Sequence, residues 1–192
     1  YAINIFNSCE MAKFDLAVYK GRIQGHINIY SSSVPRKYIL PNIIVSFLEK
    51  YPDVTFTISD EDSKNVINSI IDGDTDFGIV GAKYLNNNLD YIELMEDKLL
   101  VITPNNSQFN RSNFSSLDIK DIKNQKVLLR EEGSGTRRLL EDKLNEIDMD
   151  IDDFEIIAYV EDTETIKQLV HLGAGISFLS ERTVIDDIKL NK

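Results

Sequence analysis

The chain has 192 residues, 42% of them hydrophobic, enough for one large domain or two small lobes with a proper core. Its net charge of −11, from 32 acidic against 21 basic residues, argues against a nucleic-acid-binding surface, because phosphate binding needs clustered Lys and Arg. One cysteine excludes an internal disulfide, two distant histidines support no zinc site, and no apolar run approaches the ~20 residues of a membrane span. With no signal peptide visible, a reducing, cytoplasmic setting is expected.

From Tyr1 to Lys20, Ala2, Ile5, Cys9, Ala12, Leu16 and Tyr19 recur at alternating spacings of three and four. This short heptad seam fits either an amphipathic helix lying on its own domain or the end of an inter-chain coiled coil. Gly21 and Gly25 end it. His26 to Tyr30 alternates as a strand, with Ile27 and Ile29 on one face, and Ser31, Ser32 and Ser33 follow at once. Leu40, Ile43, Ile44, Phe47, Leu48 and Tyr51 form the stripe of a helix that Tyr51-Pro52 closes. Val54, Phe56 and Ile58 alternate as the next strand; Asp62 or Ser63 can cap a helix through Val66, Ile67, Ile70 and Ile71 that ends at Gly73. A short strand, Phe77 to Val80, leads to Gly81. Tyr91 to Leu94 and Leu99 to Thr103 suggest two more strands, and the crossing into a second lobe is placed at Pro104. The polar run Ser107 to Ser116 suggests a surface loop, and Leu117, Ile119 and Ile122 a short helix.

The most informative stretch is Arg130 to Leu144, REEGSGTRRLLEDKL, between a buried strand (Val127, Leu128, Leu129) and a helix marked by Leu139, Leu140, Leu144 and Ile147. Gly133 and Gly135 permit a tight turn and close backbone approach to a ligand, while Ser134 and Thr136 supply capping hydroxyls. Free N–H groups at a helix start, with Arg137 and Arg138 nearby, favour an anion. Beyond it, Phe154, Ile156, Ala158 and Val160 alternate, Thr163 caps a helix with Ile166, Leu169 and Val170, Gly173 ends that helix, and Ile176 to Leu179 is the last clear strand.

The two halves repeat. Ser63, Val66, Ile70 and Gly73 recur 100 residues later as Thr163, Ile166, Val170 and Gly173, and the strands before them keep that offset. Alternating strands and helices imply two α/β lobes, Rossmann-like, with mainly parallel sheets whose ligands bind beyond the carboxyl ends of the strands. Hydroxyl-rich helix starts, Ser31 to Ser33 and Ser134 to Thr136, would then face a shared cleft.

The ordered strings GRIQGHINIYSSS, ILPNIIVSFLEKYPDVTF, IIDGDTDFGIVG, LLVITPNN, LLREEGSGTR and VEDTETIKQLVHLGAGISFLSE together resemble the effector-binding domain of LysR-type transcriptional regulators. That resemblance implies the type II periplasmic-binding-protein fold, two lobes around a cleft. It implies effector binding by Ser31, Ser32 and Ser33, by Gly81 and Ala82 after the DFGIV strand, and by Ser134, Gly135 and Thr136, to which the spacing argument adds Gly133. REEGSGTR looks most like members governing sulfur and cysteine metabolism, whose effectors are small anions or amino-acid precursors. The resemblance further implies an antiparallel homodimer, a tetramer in the intact protein, and DNA contact only through a winged helix-turn-helix that this chain lacks. The expected organisation is the end of a linker helix (1–21), lobe I (22–102), lobe II (103–180) and the start of a return to lobe I (181–192), shorter than the family's usual C-terminus. A start at Tyr1 rather than Met fits a fragment.

The expected function is therefore small-effector sensing, with no cofactor, metal or catalytic residue. A free-standing solute-binding protein for transport is the alternative, and an enzyme on this scaffold the third reading. Against the enzyme, neither His26 nor His171 has a convincing partner; Glu131 and Glu132 beside Arg130 read as an ion-paired loop, and the acids of Asp148 to Asp153 as a solvated turn.

Overall fold

The computed structural model describes residues 23–190 except 76, 85, 87 and 106–121, together with positions 1, 5, 8, 9, 11, 12, 16 and 19. The loop and most of the short helix expected between Ser107 and Ile119 lie outside the described residues. In chain order the elements are β1 (Gln24–Ser31), α1 (Ser33–Tyr38), α2 (Leu40–Lys50), β2 (Asp53–Asp60), α3 (Ser63–Ile71), β3 (Gly78–Ile79) and β4 (Leu99–Ile102). The second half adds β5 (Lys126–Arg130), α4 (Gly135–Asn145), a 3-10 turn (Ile151–Asp153), β6 (Glu155–Val160), α5 (Thr163–His171), β7 (Ile176–Ser180) and α6 (Glu181–Lys189).

The internal repeat is visible in the sheets. One sheet runs β2-β1-β3, all parallel; the other contains β6-β5-β7, also parallel, in the equivalent order. Helices α3 and α5 start and stop in matching ways: Asp62 and Asp162 accept hydrogen bonds from Asn65 N and Thr165 N, and Gly73 and Gly173 follow with φ of 80° and 82°. Thr163, expected as the cap, is instead the first helical residue. An aspartate one place earlier reaches the free N–H, so the hydroxyl is not needed there.

Strand β4 departs from the expected organisation. The spacing places Leu99–Ile102 in the first lobe, but it pairs antiparallel with β7, Leu99 opposite Ser180 and Ile102 opposite Ser177. The chain therefore crosses to the second sheet before β4 rather than after it, and Tyr91 to Leu94 forms no strand. An apolar strand carries no local label for its sheet.

Lobe II is buried on both faces of its sheet, which explains its continuous apolar strands. Val127 and Leu129 of β5 pack with Leu140 and Leu144 of α4 and with Ile176 and Phe178; Leu128 points the other way onto Ile166, Val170, Leu179 and Val184. Lobe I centres on Ile29, Leu40, Val54, Val66 and Ile67, and leaves Ile43, Val45 and Ile58 exposed. Helix α6 packs Thr183 and Val184 into lobe II and also lies against α1, so it touches both lobes. Of the N-terminal seam, Ile5, Cys9, Ala12, Leu16 and Tyr19 are helical and exposed. These five side chains therefore do not pack on this domain, and Ala2 lies outside the described residues.

Gly175 precedes β7 where a Cβ would land on the carbonyl oxygen of Lys126 in β5. Gly175→Ala is expected to destabilise the domain by about 1–3 kcal/mol, because backbone cannot move aside as a side chain does. Urea unfolding monitored by circular dichroism would measure it.

Candidate functional site

Parallel strands with helices after them leave a crevice at their carboxyl ends. Here the ends of β1 and β2 face the ends of β5 and β6, and a cavity of about 370 Å3 lies between them. Six of the residues expected from sequence line it: Ser32, Ser33, Gly81, Ser134, Gly135 and Thr136. Ser32 is 5% and Ser134 3% exposed, and the Ser32 Oγ has no hydrogen-bond partner among the described residues. Ser134 is the N-cap of α4, yet its side chain makes no capping bond, so its hydroxyl is available to the cavity.

Three expected residues do not line the cavity. Ser31, the last residue of β1, alternates away from Ser32, is fully buried, and donates to the Ser32 carbonyl at 3.3 Å. Ala82 and Gly133 belong to the contact between the lobes. A Cβ on Gly135 would stand 2.8 Å from Ser63 Oγ and 3.0 Å from the Ala82 nitrogen; one on Gly133 would stand 2.7 Å from Asp62 Oδ1. Both glycines thus bring backbone close to the opposite lobe, although Gly135 lines the cavity as well. Gly133 has a φ of 93°, and its carbonyl accepts from Tyr84 Oη at 3.1 Å and Lys64 N at 3.3 Å.

Arg137 and Arg138, expected to favour an anion, do not line the cavity. Each pairs along its own helix, with Glu141 and Asp142, and packs on an aromatic ring, Tyr159 and Tyr84 respectively. The cation that does line the cavity is Arg130. Its guanidinium, 5% exposed, holds both oxygens of Glu131 at 2.8 Å, and Nη1 donates to Thr163 Oγ1 at 3.1 Å and to Ser33 Oγ at 3.4 Å. A charged residue ending a buried apolar strand was the available signal. Sequence reasoning also missed Ser63, whose Oγ accepts from Gly81 N at 3.2 Å, and the carboxylates Asp60, Glu61, Asp62 and Glu161.

The lobes are tied by ion pairs flanking the cleft. Lys37 of lobe I meets Glu164 of lobe II at 2.8 Å, Lys167 holds the other oxygen of Glu164 at 2.8 Å and Asp187 at 2.6 Å, and Lys64 meets Glu132 at 2.9 Å. Burial pushes the Glu164 carboxyl up, but hydrogen bonds from Lys167 and Lys37 outweigh it and hold the group below its ordinary value. The hydrogen bond from Lys64 does the same for Glu132. Among the described residues, no three His, Cys, Asp or Glu side chains are grouped to hold a metal ion. His26 is occupied by Thr55 and Thr57, at 2.8 and 2.9 Å.

The LysR substrate binding domain family matches residues 20–192. The chain belongs to that family. An uncharacterized HTH-type transcriptional regulator of Methanocaldococcus jannaschii is 33% identical over 159 residues, spanning 82% of this chain and 52% of the relative. The regulator YeiE of Escherichia coli is 29% identical over 165 residues, 86% of this chain and 54% of that one. This chain thus spans about half the length of the curated relatives it matches. Among solved structures, the effector-binding domain of QuiR in complex with shikimate superposes with a TM-score of 0.73 at 20% identity, covering 85% of this chain and 77% of that one. The regulatory domain of CcmR from Synechocystis in complex with 2-PG gives 0.71 at 24% identity, covering 84% and 75%. The fold is the type II periplasmic-binding-protein fold, and the family is one of regulatory binding domains, not of enzymes. No helix among the described residues is long and apolar enough to cross a membrane.

Two outcomes follow for the lobe contact of this LysR domain. Groups held below their ordinary carboxylate values stabilise the fold above those values and lose that contribution as pH falls through the lower folded-state values. The unfolding midpoint is therefore expected to fall as pH drops below about 4.5, and Glu164→Gln to flatten part of that decline in a scanning-calorimetry series. Gly135→Ala is expected to separate the lobes, costing about 1–3 kcal/mol and enlarging the radius of gyration in X-ray scattering.

Proposed function

We propose that this LysR substrate-binding domain senses a small polar effector in the cavity between its lobes. One observation carries the reading: buried hydroxyls from both lobes, Ser32 on one side and Ser134 with Thr136 on the other, converge on one polar cleft. Oxygen atoms of a carboxylate or similar group would accept from these hydroxyls and from the free N–H groups at the start of α4. Such donors act at short range, while distant surface acids are screened. The relatives QuiR and CcmR, in complex with shikimate and 2-PG, support a ligand of this size.

In the intact regulator, effector binding would alter the geometry of a DNA-bound oligomer through the N-terminal helix, whose exposed seam suits a partner helix. It can do so only by binding two conformations unequally. A homodimer of this domain within a tetramer, DNA contact through a helix-turn-helix segment outside this chain, and a cytoplasmic setting belong to the same proposal.

The test is thermal unfolding at constant ionic strength against small organic acids, inorganic anions and amino acids. A ligand at about 100 times its dissociation constant should add roughly 2.7 kcal/mol and raise the midpoint by several degrees. Ser134→Ala combined with Thr136→Ala should weaken that ligand roughly tenfold or more while the unliganded domain stays folded. Equal affinity in the double variant would remove the site assignment.

A further inference from the structure

The charges around the cavity are unbalanced. It is lined by Asp60, Glu61, Asp62, Glu131, Glu132 and Glu161 against one guanidinium, Arg130, and that cation is already clasped by Glu131. Four of the acids are accounted for. Asp60 pairs with Arg36, Asp62 receives the N–H of Asn65 and its side-chain amide, Glu131 holds Arg130, and Glu132 holds Lys64. Glu61, partly buried, and Glu161, exposed, have no side-chain partner among the described residues. They follow the ends of β2 and β6, 100 residues apart, so the repeat delivers one unpaired carboxylate to the cavity from each lobe.

A second feature points to a ligand independently of the acids. The Ser32 Oγ is buried and without a partner among the described residues; it lies 3.7 Å from where a Cβ on Gly81, another lining residue, would stand. A buried hydroxyl left unsatisfied is costly, and a group arriving in the cavity can satisfy it. The cavity thus offers hydroxyl and N–H donors at Ser32, Ser134 and Thr136 together with strong acceptors at Glu61 and Glu161. A simple anion would satisfy the donors and be repelled by the acceptors. A molecule with a carboxylate at one end and an ammonium at the other suits both.

We infer that the effector is a small zwitterion of α-amino-acid type, its carboxylate held by Ser32, Ser134 and Thr136 and its ammonium by Glu61 and Glu161. The inference rests on the cavity being the effector site. The ammonium donates to both glutamates, joining the lobes across the cleft.

Matched pairs of probes test it: each of the twenty amino acids against the hydroxy acid in which the ammonium is replaced by hydroxyl, by thermal unfolding and then isothermal titration calorimetry. At least one amino acid should raise the midpoint where its hydroxy acid does not. Glu61→Gln with Glu161→Gln should then weaken that amino acid roughly tenfold or more and narrow the preference over the hydroxy acid. If hydroxy acids or shikimate bind as well as any amino acid, and Ser134→Ala with Thr136→Ala weakens them, the cavity stands and the zwitterion is overturned. Amino-acid binding untouched by the glutamine pair but lost in the Ser134/Thr136 variant also overturns it. Binding unaffected by either variant removes the site itself. No shift with any of the twenty overturns the assignment to amino acids.

Discussion

The structure depends on a contact in which backbone meets backbone. At Gly135 the start of α4 comes so close to Gly81, Ala82 and Ser63 that a methyl group has no room. That closeness sets the separation of the lobes, and the separation brings Ser134 and Thr136 opposite Ser32 and Ser33. Gly133 makes the companion contact. Its left-handed backbone places its carbonyl where Tyr84 and the Lys64 N–H reach it, while Asp62 occupies the space a side chain would need. Glycine here serves the fit of the lobes before it serves any ligand.

Around that contact the binding surface is built by parallel strands. Their carboxyl ends point to one edge of each lobe, and the residues just beyond them, the serines after β1, Glu61 after β2, Glu131 after β5 and Glu161 after β6, arrive at the cleft together. Lobe II holds its share rigidly because β5 and β7 are buried on both faces, by α4 on one side and by α5 and α6 on the other. Burying each such side chain contributes about 1.5–3 kcal/mol, far more than an exposed ion pair at roughly 0–1. The ion pairs of Lys37 and Lys64 therefore adjust how the lobes meet, while the apolar cores decide that each lobe exists.

Arg130 illustrates how burial changes the meaning of a charge. On the surface a cation beside an acidic loop would be a weak, screened pair. At 5% exposure it must be fully partnered, and Glu131, Ser33 and Thr163 are those partners. The guanidinium consequently joins β5 to both lobes and has little charge left to offer an anion, which leaves the carboxylates to govern the cleft. An acidic chain thus presents an acidic cleft, with its anion-seeking character confined to hydroxyls and N–H groups.

Much of this architecture was legible without coordinates, since strands and helices announce themselves through local periodicity. The two-lobe repeat, the helices closed by Gly73 and Gly173, and the strand-to-helix turn from Glu131 to Ser134 all follow from spacing and backbone stereochemistry. The resemblance carried by the ordered motifs added the family, its fold and, with the loop reading, six residues that line the cavity. Pairing is not local. Whether Leu99–Ile102 joined the first sheet or the second, whether Gly133 faced a ligand or a lobe, and whether Arg137 or Arg130 supplied the cleft cation depended on neighbours distant along the chain. Sequence determined the elements and their order, because each is set by a few adjacent residues; only the tertiary structure decided which groups face the cleft, because burial and charge pairing are settled between chain segments that meet in space.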